Sequence, residues 1–173
     1  MIDDVLLYLS VRIEEDVGEE KNEILGSGVW WKPETYSEYM YIFTAAHVVK
    51  QKKKIVVRYR DKDEKEKTVN IDKNDIACHK DANFGENILP YKDVAILRCK
   101  KIDLNLNITY TYKINGLDNL SANRNLIFRG YPDSLHQESS FNLSSKPAYG
   151  VLETPDRPDN RFGYRLNSEL GIK

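Results

Sequence analysis

The sequence predicts an all-β fold of the antiparallel barrel or sandwich kind, and three observations carry that prediction. Apolar and branched residues fall in short runs that alternate with polar ones. Charged or turn residues bound each run. No stretch between the runs carries the spacing of a long amphipathic helix, so neighbouring strands pair without covering helices.

The elements follow in order. Val5–Ile13 (VLLYLSVRI) alternates and is rich in branched residues. Ile24–Trp31 (ILGSGVWW) is apolar with two glycines; the polar turn KPETYSE joins it to Tyr39–Ala46 (YMYIFTAA) as a hairpin. Lys54–Arg60, Lys67–Ile71, Asp75–Lys80 and Asp93–Lys100 complete a first β unit, placed at residues 1–105. The run RDKDEKEK (Arg60–Lys67) mixes charge signs and reads as an exposed hairpin tip. A polar connector begins at Lys101. Strands resume at Asn125–Tyr131, Ser140–Pro147, Ala148–Thr154 and Arg161–Leu170, so residues 106–173 read as a linker and a shorter second unit. About four strands there, against about seven before, leave an open edge that needs covering.

Composition narrows the function. The chain has 173 residues, 40% hydrophobic and 31% charged, as in ordinary globular proteins. Twenty-six basic and 27 acidic residues leave a net charge of -1, so no overall field favours nucleic acid or an anionic membrane. The basic run Lys50–Lys54 has no aromatic stacking platform beside it. No apolar run approaches the roughly 20 residues of a membrane helix. Asp3 and Asp4 stand where a secretory leader carries positive charge, so a cytoplasmic protein with reduced Cys78 and Cys99 is expected. Three histidines (His47, His79, His136) and no paired Cys-x-x-Cys argue against structural zinc, and no metal or organic cofactor is implied.

His47 raises the functional question. It follows the apolar strand YIFT and the small pair Ala45–Ala46, where the chain can turn tightly and HVVK can form a brief helical turn. Such a turn aims the imidazole out of the sheet. Asp93 opens the strand DVAIL, and a partly buried carboxylate there requires donors, which an imidazole Nδ1–H can supply. Alone, His47 reads as a structural or surface histidine and Asp93 as a turn residue. Together they read as a base and its orienter, leaving Nε2 to take a proton.

GSGVW, FTAAHVV and DVAIL, in that order and with Asp93 following His47 by 46 positions, resemble the chymotrypsin-like (trypsin-like) serine peptidases, in particular their disulfide-poor bacterial branch. GYP (Gly130–Pro132) is a weaker match. The resemblance implies two antiparallel β-barrels with the second incomplete in this chain. It implies His47 as general base, Asp93 as orienting carboxylate and a peptide or protein as substrate. Regulatory domains or partner subunits, including those of a bacterial antiviral defence assembly, fit a cytoplasmic peptidase that must be restrained.

The family's Gly-x-Ser-Gly-Gly turn does not occur, so the resemblance places the nucleophile beyond residue 173 or on another fragment. Ser168 lacks flexible glycines and sits beside Glu169, which would oppose an oxyanion. Cys99 lies six residues after Asp93 on one strand, about 20 Å away and out of reach of the same histidine. Cys78 has no activating turn around it, and Ser27 belongs to a barrel strand. The alternative reading is a catalytically inactive protease-fold module that binds a protein partner.

Overall fold

The structure is a computed structural model, and it describes residues 8–18, 21–33, 37–82, 92–101, 104–106, 125–130, 146–154 and 163–166. Two compact units divide the chain: Met1–Tyr112 with Gly130–Ser145, and Lys113–Arg129 with Lys146–Lys173. In the first, the two-residue alternation becomes a sheet with one apolar face. Its strands are β1 (Ser10–Gly18), β2 (Lys21–Trp31), β3 (Tyr39–Thr44), β4 (Ile55–Arg60), β5 (Glu66–Ile71), β6 (Ile76–Cys78) and β7 (Ala95–Lys100). They pair in the order β5-β4-β1-β2-β3-β7-β6, antiparallel throughout. The sheet also rolls up, because β5 comes against β7 from the far side of the order.

The inward residues fill the roll. Val11 and Ile13, Met40 and Ile42, Ile55, Val57 and Tyr59, and Ala95, Leu97 and Cys99 alternate along their strands and form one core cluster. Ile42 is fully buried, and removing such a side chain from water stabilises by about 1.5–3 kcal/mol. Trp30 meets Tyr59 edge to face, with ring centroids 5.6 Å apart. Gly28 is required at its place: a Cβ there would lie 2.6 Å from Ile42 Cγ2 and 3.1 Å from the Phe43 carbonyl oxygen. Glycine therefore lets β2 and β3 approach closely.

Several expected boundaries move. The first strand is expected at Val5–Ile13, yet β1 runs to Gly18, through Glu14, Glu15 and Asp16. These acids remain in the strand because partners distant in sequence satisfy them. Glu14, 1% exposed, accepts from Arg12 Nε at 2.6 Å, from Arg58 Nε at 2.8 Å and from Asn22 Nδ2 at 2.7 Å. Glu15 and Asp16 meet Lys52 and Lys54, so two lysines of the basic run pair with β1. The charged hairpin tip also has a buried anchor. Asp61, 1% exposed, accepts from the Asp63 and Lys65 backbone N–H groups at 2.9 Å each.

The second unit holds a three-stranded sheet in the order β10-β9-β8, from β8 (Asn125–Gly130), β9 (Lys146–Thr154) and β10 (Gly163–Leu166). β9 and β10 are antiparallel, with an irregularity at Gly163/Tyr164. A break is expected between Pro147 and Ala148, but β9 is continuous there. Pro147 is its second residue and precedes the stretch Gly150–Thr154 that pairs with β10. Tyr131, Pro132, Ser140–Ser145, Arg161–Phe162 and Asn167–Leu170 lie outside the described residues. Among the described residues, no helix is long and apolar enough to cross a membrane.

Candidate active site

The site begins where β3 ends. At Ala45 the backbone is still extended (φ -77°, ψ 143°), and a single helical turn follows, α1 (Ala46–Val49). Ala46, Val48 and Val49 face the core, leaving His47 on the outer side with its side chain 54% exposed. Gln51, at φ 68°, takes the left-handed conformation after the turn. The tight turn expected from the small alanines is therefore present, and it presents the imidazole to solvent.

Asp93 lies two residues before β7, whose alignment on β3 pairs Ala95 with Thr44. That pairing brings the start of one strand beside the end of the other. His47 Nδ1 is 2.6 Å from Asp93 Oδ2, and the His47 backbone N–H donates to Oδ1 at 2.8 Å. The Ala46 backbone N–H, next along the turn, adds to the favourable electrostatics of the carboxylate. Burial works against ionisation of Asp93, whose side chain is only 14% exposed, but these donors outweigh it and hold the carboxyl below its ordinary range. An ionised Asp93 accepts the Nδ1 proton and so fixes the tautomer, leaving Nε2 as an acceptor. Nε2 has no hydrogen-bond partner among the described residues.

The other candidates lie elsewhere or are inert. Burial pushes the Cys78 thiol up, and the nearby Asp93 charge adds to this while Lys50 opposes it. Cys99 faces the core, where burial pushes its thiol up to about 12. A thiol so protonated is a poor nucleophile. The backbone carbonyl of Ser27 accepts from Thr44 Oγ1 at 2.9 Å, a structural use of that residue. His79 Nδ1 accepts from the Asp81 backbone N–H at 3.2 Å. Ser168 and His136 lie outside the described residues. Among the described residues, no cluster of His, Cys, Asp and Glu could hold a metal ion.

One contact was not legible beforehand. Gly26, in the GSG of β2, lies directly under Val48 of α1. The signal was two small residues two apart on an apolar strand, which marks close approach.

The sequence model of the trypsin family matches residues 35–145, more than half of the chain. The chain belongs to the trypsin family. Solved structures agree on the fold. The crystal structure of Deg5 is similar with a TM-score of 0.61 at 14% identity, over 95% of this chain and 70% of that one. Neuropsin, a serine protease expressed in the limbic system of mouse brain, is similar with a TM-score of 0.55 at 17% identity, over 87% of this chain and 61% of that one. A search of curated proteins finds no match. The all-β, trypsin-like fold class expected from the resemblance holds, and the second unit contributes a three-stranded sheet among the described residues.

Proposed function

We propose that this trypsin-family chain carries the base and orienting carboxylate of a serine endopeptidase, His47 and Asp93, and that the serine lies beyond residue 173 or on another fragment. One observation carries the reading: Asp93 grips His47 through both carboxylate oxygens while Nε2 faces away from it. In the reaction the serine Oγ bonds to the peptide carbonyl carbon as its proton passes to Nε2. The imidazolium, stabilised by Asp93, returns that proton to the leaving amine as the C–N bond breaks. Water then attacks the acyl-enzyme by the same relay, releasing the acid and the free serine. The substrate class is peptide or protein.

The same reading makes residues 1–105 the barrel that supplies the pair and 106–173 a linker with part of the second barrel. Two free thiols, Cys78 and Cys99, support a reducing, cytoplasmic setting. Regulatory domains or partner subunits, as in an antiviral defence protein, belong to that proposal. The test is fluorophosphonate labelling of the full-length protein. The expected result is one labelled serine, with labelling abolished in His47→Ala. Absence of His47-dependent labelling overturns the endopeptidase and leaves the partner-binding module.

A further inference from the structure

α1 is one turn long. Its N-terminal residue makes no side-chain cap bond, and its closing contact is the Lys50 N–H donating to the Ala46 carbonyl at 2.9 Å. A helix of that length does not hold itself in place. Its position comes from packing, and β2 supplies two contacts on either side of His47. Before the histidine, Thr44 Oγ1 donates to the Ser27 carbonyl. After it, Val48, only 7% exposed, sits over Gly26. A Cβ at residue 26 would lie 3.0 Å from Val48 Cγ2 and 3.3 Å from Cγ1. The side chain that would have to yield is a branched valine with few rotamers, so its backbone moves instead. His47 is the adjacent residue, and its outward side chain meets no other hydrogen-bonding partner than Asp93 among the described residues.

We propose that Gly26 and Val48 form a positioning pair, in which the missing side chain of one seats the isopropyl group of the other and so sets the depth at which His47 meets Asp93. This deepens the reading of His47 as base and rests on it. Neither residue touches a reacting atom. The pair works by volume: a methyl group added at residue 26 lifts the turn, and the Nδ1–Asp93 hydrogen bond lengthens.

The test is imidazole nitrogen NMR on the full chain in mildly alkaline buffer, which reads the His47 tautomer and needs no nucleophile. The native chain is expected to show one Nδ1–H species. Gly26→Ala is expected to lose that signal in favour of a tautomer mixture, and the Asp93 carboxyl to titrate nearer its ordinary range. Gly26→Ala/Val48→Ala places the added methyl where the valine methyls were, and should recover the single species. Val57→Ala, on β4, should lower the melting temperature and leave the signal unchanged. Should Gly26→Ala alone not fold, the double variant against Val48→Ala decides the matter. A single Nδ1–H species in Gly26→Ala overturns the positioning pair, as does a double variant no better ordered than Val48→Ala. Loss of fluorophosphonate labelling with an intact imidazole signal counts only against the endopeptidase.

Discussion

Two carboxylates of the first unit, the buried Glu14 and the half-buried Asp93, are satisfied to different ends. Each is held below its ordinary range by donors that overcome burial. Glu14 sits on the outer side of β1 with its oxygens spent on Arg12, Arg58 and Asn22. Arg58 passes the network on to Glu66 at 2.6 Å. Both guanidinium partners are donors with no acceptor lone pair, so neither can take a proton from a reacting group. Asp93 spends its oxygens on one histidine, a partner whose second ring nitrogen is left able to accept a proton. What separates a structural carboxylate from a candidate catalytic one here is the partner's remaining chemistry, since both are well satisfied.

That contrast is broken most severely by Asp93→Asn in the full-length protein. The amide no longer selects the Nδ1–H tautomer, and kcat should fall by about four orders of magnitude, while the melting temperature falls by less than in Glu14→Ala. An unchanged kcat would make Asp93 as structural as Glu14. Next is Glu14→Ala, which leaves two guanidinium groups without their shared partner. Urea denaturation should show a loss of about 3–5 kcal/mol, with His47-dependent labelling retained in the folded fraction.

Acid should sharpen the same comparison. Both carboxyls have depressed folded pKa values, so their stabilisation is complete above the ordinary values of 4.5 for Glu14 and 3.8 for Asp93. It is lost as pH falls through the folded values. Denaturation midpoints should therefore drop on acidification below pH 4.5, and less steeply in Glu14→Gln. The smallest effect is expected at an exposed pair. Lys54 Nζ meets Asp16 at 3.2 Å in solvent, and Lys54→Ala should leave the urea midpoint unchanged within error.

What the amino-acid order reveals follows from how local each cause is. β3, β4 and β7 are legible because their inward residues alternate between flanking charges. The turn at His47 is legible from Ala45 and Ala46. The full length of β1 is not, because Glu14, Glu15 and Asp16 read as loop residues until Arg58 and Lys53, 44 and 38 positions away, arrive beside them. Asp61 is misread for the opposite reason: its donors, the Asp63 and Lys65 backbone N–H groups, are local, but a charged run reads as exposed and the hairpin folds over it. The pairing of Asp93 with His47 is legible from a carboxylate at a strand mouth that needs a donor, and the resemblance adds the order and spacing of the motifs around it. The second oxygen's bond to the His47 backbone could be seen only once β3 and β7 were in register.

The hairpin between β4 and β5 has one more consequence. Lys62 N–H donates to the Asn105 carbonyl at 2.8 Å, and Asn105 Nδ2 reaches Asp63 at 3.0 Å. The chain leaving β7 thus latches onto the opposite margin of the rolled sheet, a clasp across more than 40 positions of sequence. Loops that long close late, after the hairpins have formed. The Lys62 amide should consequently exchange with deuterium sooner than those at Ile42 or Leu97, reporting a seam that unfastens before the staves separate.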